Sequence, residues 1–308
     1  MISVKPVTPE FVAVVSNVDL SAHMSDEVFS EIEEAFERYA VLVFHKQPLT
    51  EEQQLAFAER FGELEVSVQP FVQTPGNKRR LGTSGFSDIS NLDENGQVIS
   101  SADNRHLINL ANQIWHTDSS FKRIPGKMSM LSAQEVVTAG GETEFADMRE
   151  AWDALSEKHK NKIENLIAEH DYFRSRLLVG LDPNSISPER RELRPAVPQV
   201  LVRINKKSGR KSLYLASHIK KIYGMNDAEG RRLVDELIEY ATQPKFVYSH
   251  RWAVDDVVMW DNRYTMHRGR PFSETSRRAM RRATVMDDGP TVPLDWSFKN
   301  ESTANVSM

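Results

Sequence analysis

His116 and Asp118 stand two residues apart in the run WHTDSSF at 115–121. On an extended chain, side chains two apart point to one face, so an imidazole and a carboxylate converge on one point. Taken alone, the pair reads better as a core histidine beside a turn aspartate. A second segment far downstream, VVMWDNRYTMHRGR beginning at Val257, delivers His267. Two imidazoles and one carboxylate cover one face of a metal and leave the opposite positions open, the arrangement with which non-haem Fe(II) takes up a co-substrate and oxygen. Zinc hydrolysis is the competing metal chemistry. It is the poorer fit, because the chain shows neither an H-E-x-x-H helix nor an evident general base beside these residues.

The run Arg277-Arg278-Ala279-Met280-Arg281-Arg282 follows shortly after His267. Most charge runs are solvated surface. On a strand, however, Arg278 and Arg282 share a face that excludes Arg277 and Arg281. Two guanidiniums aimed inward require anions, and carboxylates supply them through bidentate pairing. A metal with open positions beside a fixed arginine suits a keto acid that chelates iron at one end and is clamped at the other.

These residues need a scaffold, and the chain is long enough for one. Its 308 residues, 40% hydrophobic and 27% charged, suit one large domain with a substantial core. The net charge of −5 disfavours nucleic acid and anionic membrane as partners. With no cysteine, disulfide scaffolds, thiolate zinc sites, iron–sulfur clusters and a cysteine nucleophile are all excluded, so a metal must sit on histidine and carboxylates. The N-terminal residues lack a basic region followed by a long apolar stretch, and the longest apolar run, 39–44, cannot span a bilayer. A cytoplasmic protein is expected.

Caps mark the helices: Thr50 with Gln53, Asp147 with Glu150 and Asn226 with Glu229. After Asn226, Leu233, Val234, Leu237, Ile238 and Ala241 form one stripe at helical spacing. A further helix over 26–40 is expected to bury Val28, Ile32 and Phe36. Runs rich in β-branched and aromatic residues at 41–44, 114–118, 128–137, 200–204, 213–216, 246–252, 257–260 and 283–286 read as strands. Many short strands without strict alternation with helices point to an antiparallel sandwich or jelly roll with helices outside. Two stretches, 66–109 and 174–199, look irregular and lid-like. The tail from Asp287 reads as extended and peripheral.

The run WHTDSSF (115–121), the stretch SMLSAQEVVTAGGETEFADM (129–148), the segment VMWDNRYTMHR (258–268) and the spacing to RRAMRRAT (277–284) resemble the taurine dioxygenase and 2,4-dichlorophenoxyacetate dioxygenase family of Fe(II)- and 2-oxoglutarate-dependent oxygenases. The likeness runs from about Val12 to Asp288. HTDSSF, GGETEFADM and AEGRRLVDELIEYATQPKFVYSHRW (228–252) are most similar to the aryloxyalkanoate-degrading branch.

The resemblance implies a double-stranded β-helix (jelly roll) core, mainly β with flanking helices. It implies that His116, Asp118 and His267 ligate Fe(II), and that Thr143 with Arg278 holds the distal carboxylate of 2-oxoglutarate. Arg282 matches the position that meets the anionic group of the primary substrate. Asn112 matches one that orients it, and Trp260 one packed near the site. His218 is a further candidate on the substrate side, with packing as its other reading. The implied reaction consumes 2-oxoglutarate and O2, releases succinate and CO2, and oxidises a C–H bond. At a carbon bearing an aryl ether oxygen, the product is a hemiacetal that collapses to a phenol and a 2-oxo acid. Hydroxylation of taurine, another sulfonate or an amino acid shares the same iron site, and a non-catalytic binding module is the remaining reading. A homo-oligomer is expected from the family.

Overall fold

Alternation along the strands decides the architecture. Met130, Met259, Ala283 and Val285 pack in one cluster with Ile32, Phe36 and Phe57 of two N-terminal helices. Their neighbours Leu131, Val258, Trp260 and Met280 pack in another with Phe145. One sheet thus buries both faces, the first under helices and the second against another sheet. Each fully buried large apolar side chain contributes about 1.5 to 3 kcal/mol through removal from water.

The computed structural model describes residues 1–66, 80–100, 103 and 105–298. The main sheet has seven strands in the order Ser3–Pro6, Val12–Ser16, Val41–Phe44, Val257–Asp261, Gly126–Glu135, Ala279–Met286 and Phe86–Asp88. All its pairings are antiparallel except that of Val12–Ser16 with Val41–Phe44. Facing it is a three-stranded sheet, Val247–His250, Thr143–Asp147 and Thr265–Gly269, in that order. Together they form the jelly-roll core. The outer side of the smaller sheet, with Ala146 and Met266, is covered by Leu233, Val234 and Leu237 of the helix Asp227–Ala241.

The helix starts follow their caps. Thr50 closes a reciprocal capping box with Gln53, and Asn226 accepts from the Glu229 amide. The helix Asp26–Tyr39 buries Phe29 rather than Val28, together with Ile32 and Phe36, because the larger ring takes the place beside Phe61.

Three expectations require correction. Residues 114–118 do not form a strand: His116 makes a single antiparallel bridge to His267, after which Ser119, at φ 54°, turns the chain away. The stretch 174–199 is not structureless. It carries most of the helix Tyr172–Leu178, the short helices Pro183–Ser185 and Pro188–Glu192, and much of the strand Val197–Val200. Local caps, Asp171, Asp182 and Ser187, organise it despite its prolines, two of which, Pro183 and Pro188, sit at the starts of the two short helices, where a missing amide hydrogen does no harm. The tail after Asp287 is not peripheral as far as it is described. Val292 is buried, the Thr291 hydroxyl accepts from the Val200 amide, and Trp296 and Phe298 pack on Tyr223.

Of the stretch 66–109, residues 67–79, 101, 102 and 104 lie outside the described residues. The rest supplies the edge strand Phe86–Asp88, paired with Arg281–Ala283, and the start of the helix Arg105–Ala111.

Candidate active site

His267 lies opposite Phe145 in the small sheet, on the face that looks into the sandwich. The bridge from His116 to His267 brings the 116–118 segment alongside, and Asp118 then reaches between the two rings. His116 Nε2 is 3.7 Å from Asp118 Oδ1, and His267 Nε2 is 3.6 Å from Asp118 Oδ2. One ligand atom from each of the three residues lies within 4.8 Å of the others, and all three residues are buried.

Second contacts orient each group. His116 Nδ1 donates to the Ile114 carbonyl at 2.8 Å, which leaves Nε2 with its lone pair toward the centre. The Ser129 hydroxyl donates to Asp118 Oδ2 at 2.7 Å, and the Asn262 amide donates to Ser129 Oγ at 2.9 Å. Trp260 completes the chain: its indole N–H donates to Asn262 Oδ1 at 3.0 Å and its ring packs 4.7 Å from that of His267. Burial, with Arg282 nearby, lowers the pKa of both imidazoles, so they stand neutral as metal ligands must. Burial alone would raise the Asp118 carboxyl. Arg282 and the Ser129 hydroxyl outweigh it and hold the group below the usual carboxylate value. A neutral N, N and anionic O set, open on one side, fits Fe(II).

The arginine run divides as strand parity requires. Arg277 turns outward to Glu135 at 2.7 and 2.8 Å. Arg281 points to the helix side, where it donates to Gln54 Oε1 at 2.7 Å and to the Leu49 carbonyl. Arg278 and Arg282 face inward and line one cavity with Thr143, Trp260, His267 and Asn112.

Arg278 is a buried cation that no carboxylate among the described residues pairs with. Its Nη2 donates to the Gly141 carbonyl at 3.3 Å, its backbone N–H to Asn91 Oδ1 at 2.9 Å, and its Nε has no partner. Burial alone pulls its pKa down to about 10. Gly141, at φ +71°, is demanded by its backbone and by Val137, which a Cβ there would meet at 2.7 Å. The Thr143 hydroxyl accepts from the Trp252 indole N–H at 2.9 Å, so its own hydrogen is left to donate into the cavity. A dicarboxylate with one end at Arg278 and Thr143 and the other at the triad fits these unsatisfied donors.

A second cavity adjoins the first and shares His116, Asn112 and Arg282 with it. Its other walls include Leu81, Phe86, Phe121, Tyr172, Arg176 and His218, and Ile89 lines both cavities. Arg282 pairs with Asp118 Oδ1 through Nη1, while its Nε has no partner. His218 belongs to this wall: its ring lies 6.3 Å from that of His116 and 4.8 Å from that of Phe121.

Residues 3–284 match the family model of the taurine catabolism dioxygenase TauD, TfdA family. The chain belongs to this family. It is 44% identical over 284 residues to an alpha-ketoglutarate-dependent 2,4-dichlorophenoxyacetate dioxygenase of Cupriavidus pinatubonensis, covering 92% of this chain and 97% of that one. It is 35% identical to an (S)-phenoxypropionate/alpha-ketoglutarate-dioxygenase of Sphingobium herbicidovorans, covering 92% and 95%. The crystal structure of AAD-2 in complex with Mn(II) and N-oxalylglycine superposes with a TM-score of 0.86 at 44% identity, covering 95% of this chain and 99% of that one.

Membership of the TauD/TfdA family accounts for the triad, yet several residues around it escape sequence reasoning. Ser129 and Asn262 sit inside quoted motifs, but nothing local marks them as supports of Asp118. Trp252 orients Thr143 across 109 positions of sequence. Arg176 lies in a stretch that looked irregular, and only the fold brings it to the site.

Proposed function

We propose that the protein is an Fe(II)- and 2-oxoglutarate-dependent dioxygenase that oxidises an aryloxyalkanoate and releases a phenol and a 2-oxo acid beside succinate and CO2. His116, Asp118 and His267 hold the iron, and Arg278 with Thr143 holds the distal carboxylate of 2-oxoglutarate. When bound, the iron and 2-oxoglutarate together supply the activation of O2 that oxidises a C–H bond. The chain's own residues position and shield. Ser129 and Asn262 keep Asp118 in its ligating pose, Trp260 walls the His267 side, and Asn112 stands where the two cavities meet. Arg282 steadies Asp118 and offers its remaining N–H to the acid group of the substrate.

The observation that carries this reading is Arg278, a buried guanidinium with no carboxylate partner among the described residues, in one cavity with His116 and His267 of the His-Asp-His cluster. The apolar wall of the adjoining cavity, with Phe121, Leu81 and Ile89, suits an aromatic ring. The relatives named above support the same substrate class. Among the described residues no helix is long and apolar enough to cross a membrane. A cytoplasmic, homo-oligomeric enzyme is part of the proposal, with the assembly checked by light scattering on a sizing column.

Oxygen uptake with aryloxyacetates, 2-aryloxypropionates, taurine and free amino acids tests the substrate class. Uptake dependent on Fe(II) and 2-oxoglutarate and strongest with an aryloxy acid is expected. Efficient oxidation of taurine or an amino acid, with no phenol from the aryloxy acids, would reject the class and leave the iron chemistry standing.

A further inference from the structure

Arg176 faces the adjoining cavity from the helix Tyr172–Leu178. Its guanidinium lies over the Tyr172 ring, 3.9 Å from the centroid. Its Nη1 donates to Ser175 Oγ at 2.7 Å, to the Tyr172 carbonyl at 3.2 Å and to His218 Nε2 at 3.2 Å. Its Nε is buried and has no partner. Its charged neighbours are the cations Arg282 and Arg194, and among the described residues no carboxylate pairs with it.

The contrast with Arg282 decides the matter. Arg282 already has an anion, the iron-binding carboxylate of Asp118. Arg176 has none, and Arg282 repels it. A guanidinium withdrawn from water without a counter-ion is unfavourable, and a bound carboxylate would offset that penalty. His218 supports the pose. Burial and Arg176 keep its ring neutral, so Nε2 accepts from the guanidinium while Nδ1 meets Ser120 Oγ at 3.3 Å. The His218 ring in turn lies 6.3 Å from that of His116, so the cation stands one ring away from the iron-binding triad.

We propose that Arg176 receives the carboxylate of the primary substrate, holds it between itself and Arg282, and is itself held in place by His218. The proposal rests on the reading of the substrate as a small organic acid. The acid group then sits at the inner end of the cavity, with the aryl group toward Phe121 and Leu81. Arg176 is thus a specificity residue on a connecting helix, outside the jelly-roll strands.

The test compares phenoxyacetate with its neutral amide on the Fe(II)- and 2-oxoglutarate-loaded enzyme, native and Arg176→Gln, with phenol release as the readout. Loss of a charge-assisted bond worth about 1.5 to 3 kcal/mol corresponds to a rise of about 10- to 100-fold in the KM for the acid. The preference for acid over amide should fall by a similar factor, while the KM for 2-oxoglutarate moves far less. Should Arg176→Gln fail to fold, Arg176→Lys takes its place. It keeps the charge and loses the planar fork, and an intermediate rise is expected. An unchanged acid-to-amide preference in a folded variant overturns the proposal. If the native enzyme releases no phenol from any aryloxy acid, the aryloxyalkanoate reading fails on its own. The same comparison is then made with whichever acid the enzyme does oxidise, where unchanged KM values in the variant overturn the role of Arg176 and raised values support it.

Discussion

The two adjoining cavities are built differently. Around Arg278 the inner wall comes from strands, Leu131 from Gly126–Glu135, Thr143 from Thr143–Asp147, Trp260 from Val257–Asp261 and His267 from Thr265–Gly269, while the rim comes from connections such as Asn91, Asn112 and Pro271. Around Arg176 much of the wall comes from connections and short helices, with Phe121 after a turn, Tyr172 and Arg176 on a seven-residue helix, and Leu81 and Ile89 beside the short edge strand. Hydrogen-bonded strands fix side-chain direction in every pair, whereas connections can change course without disturbing the core. The strand-borne inner wall around Arg278 is therefore held in place by the core. The other cavity can vary with the molecule oxidised.

This contrast can be broken most forcefully at the triad, which both halves share. His267→Ala should fold, because the ring sits on an edge strand of the small sheet and lines a cavity rather than filling the packed core. Even changes in residues that merely orient metal ligands lower affinity by about 10- to 100-fold, so loss of a ligand should exceed that and abolish Fe(II)-dependent succinate formation. Near-normal turnover in this variant would remove the triad from the account. Next in size, Arg278→Lys should raise the KM for 2-oxoglutarate by about tenfold or more, since an ammonium cannot reproduce the two-bond match to a carboxylate. Arg282→Ala should instead depress coupled oxidation of the primary substrate much more than it weakens 2-oxoglutarate binding. The reverse pattern in the two variants would mean that their roles are exchanged.

Smaller effects sharpen the comparison. Trp252→Phe removes the donor to Thr143, a neutral bond worth about 1 kcal/mol, so a several-fold rise in the KM for 2-oxoglutarate is expected without any change in substrate preference. At neutral pH the smallest effect is that of His170→Phe. The buried His170 ring has no hydrogen-bond partner and its pKa is pushed down to about 3 from 6.5 by burial. The unfolded chain binds a proton that the native ring refuses, so stability rises with pH from about 3 to 6.5 and this contribution is flat above that window. His170→Phe should flatten the acid side of the curve of thermal midpoint against pH, and an undiminished slope would assign it to other groups.

The same contrast explains what was legible in the sequence. Period-two alternation separated Arg278 and Arg282 from Arg277 and Arg281, because the segment pairs along almost its whole length with Gly126–Glu135. The helix caps at Thr50 and Asn226 were equally readable, since a cap is a local hydrogen bond. Residues 114–118 misled because a ligand pair two apart needs only extended backbone and one bridge, not a strand. Arg176, Ser129 and Asn262 were beyond reach because their partners lie 42, 11 and 133 positions away, brought together only by the fold. The helices within 174–199 were obscured by proline and charge, although Asp171, Asp182 and Ser187 each supply a cap.

The most direct measurement is the product balance of the native enzyme supplied with Fe(II), phenoxyacetate and a limiting amount of 2-oxoglutarate in air. Phenol and succinate should appear together in a ratio of about one to one, because the chemistry at the iron couples each 2-oxoglutarate consumed to one substrate oxidation. Succinate without phenol, alongside stoichiometric oxidation of taurine or an amino acid in parallel reactions, would contradict the account of the second cavity.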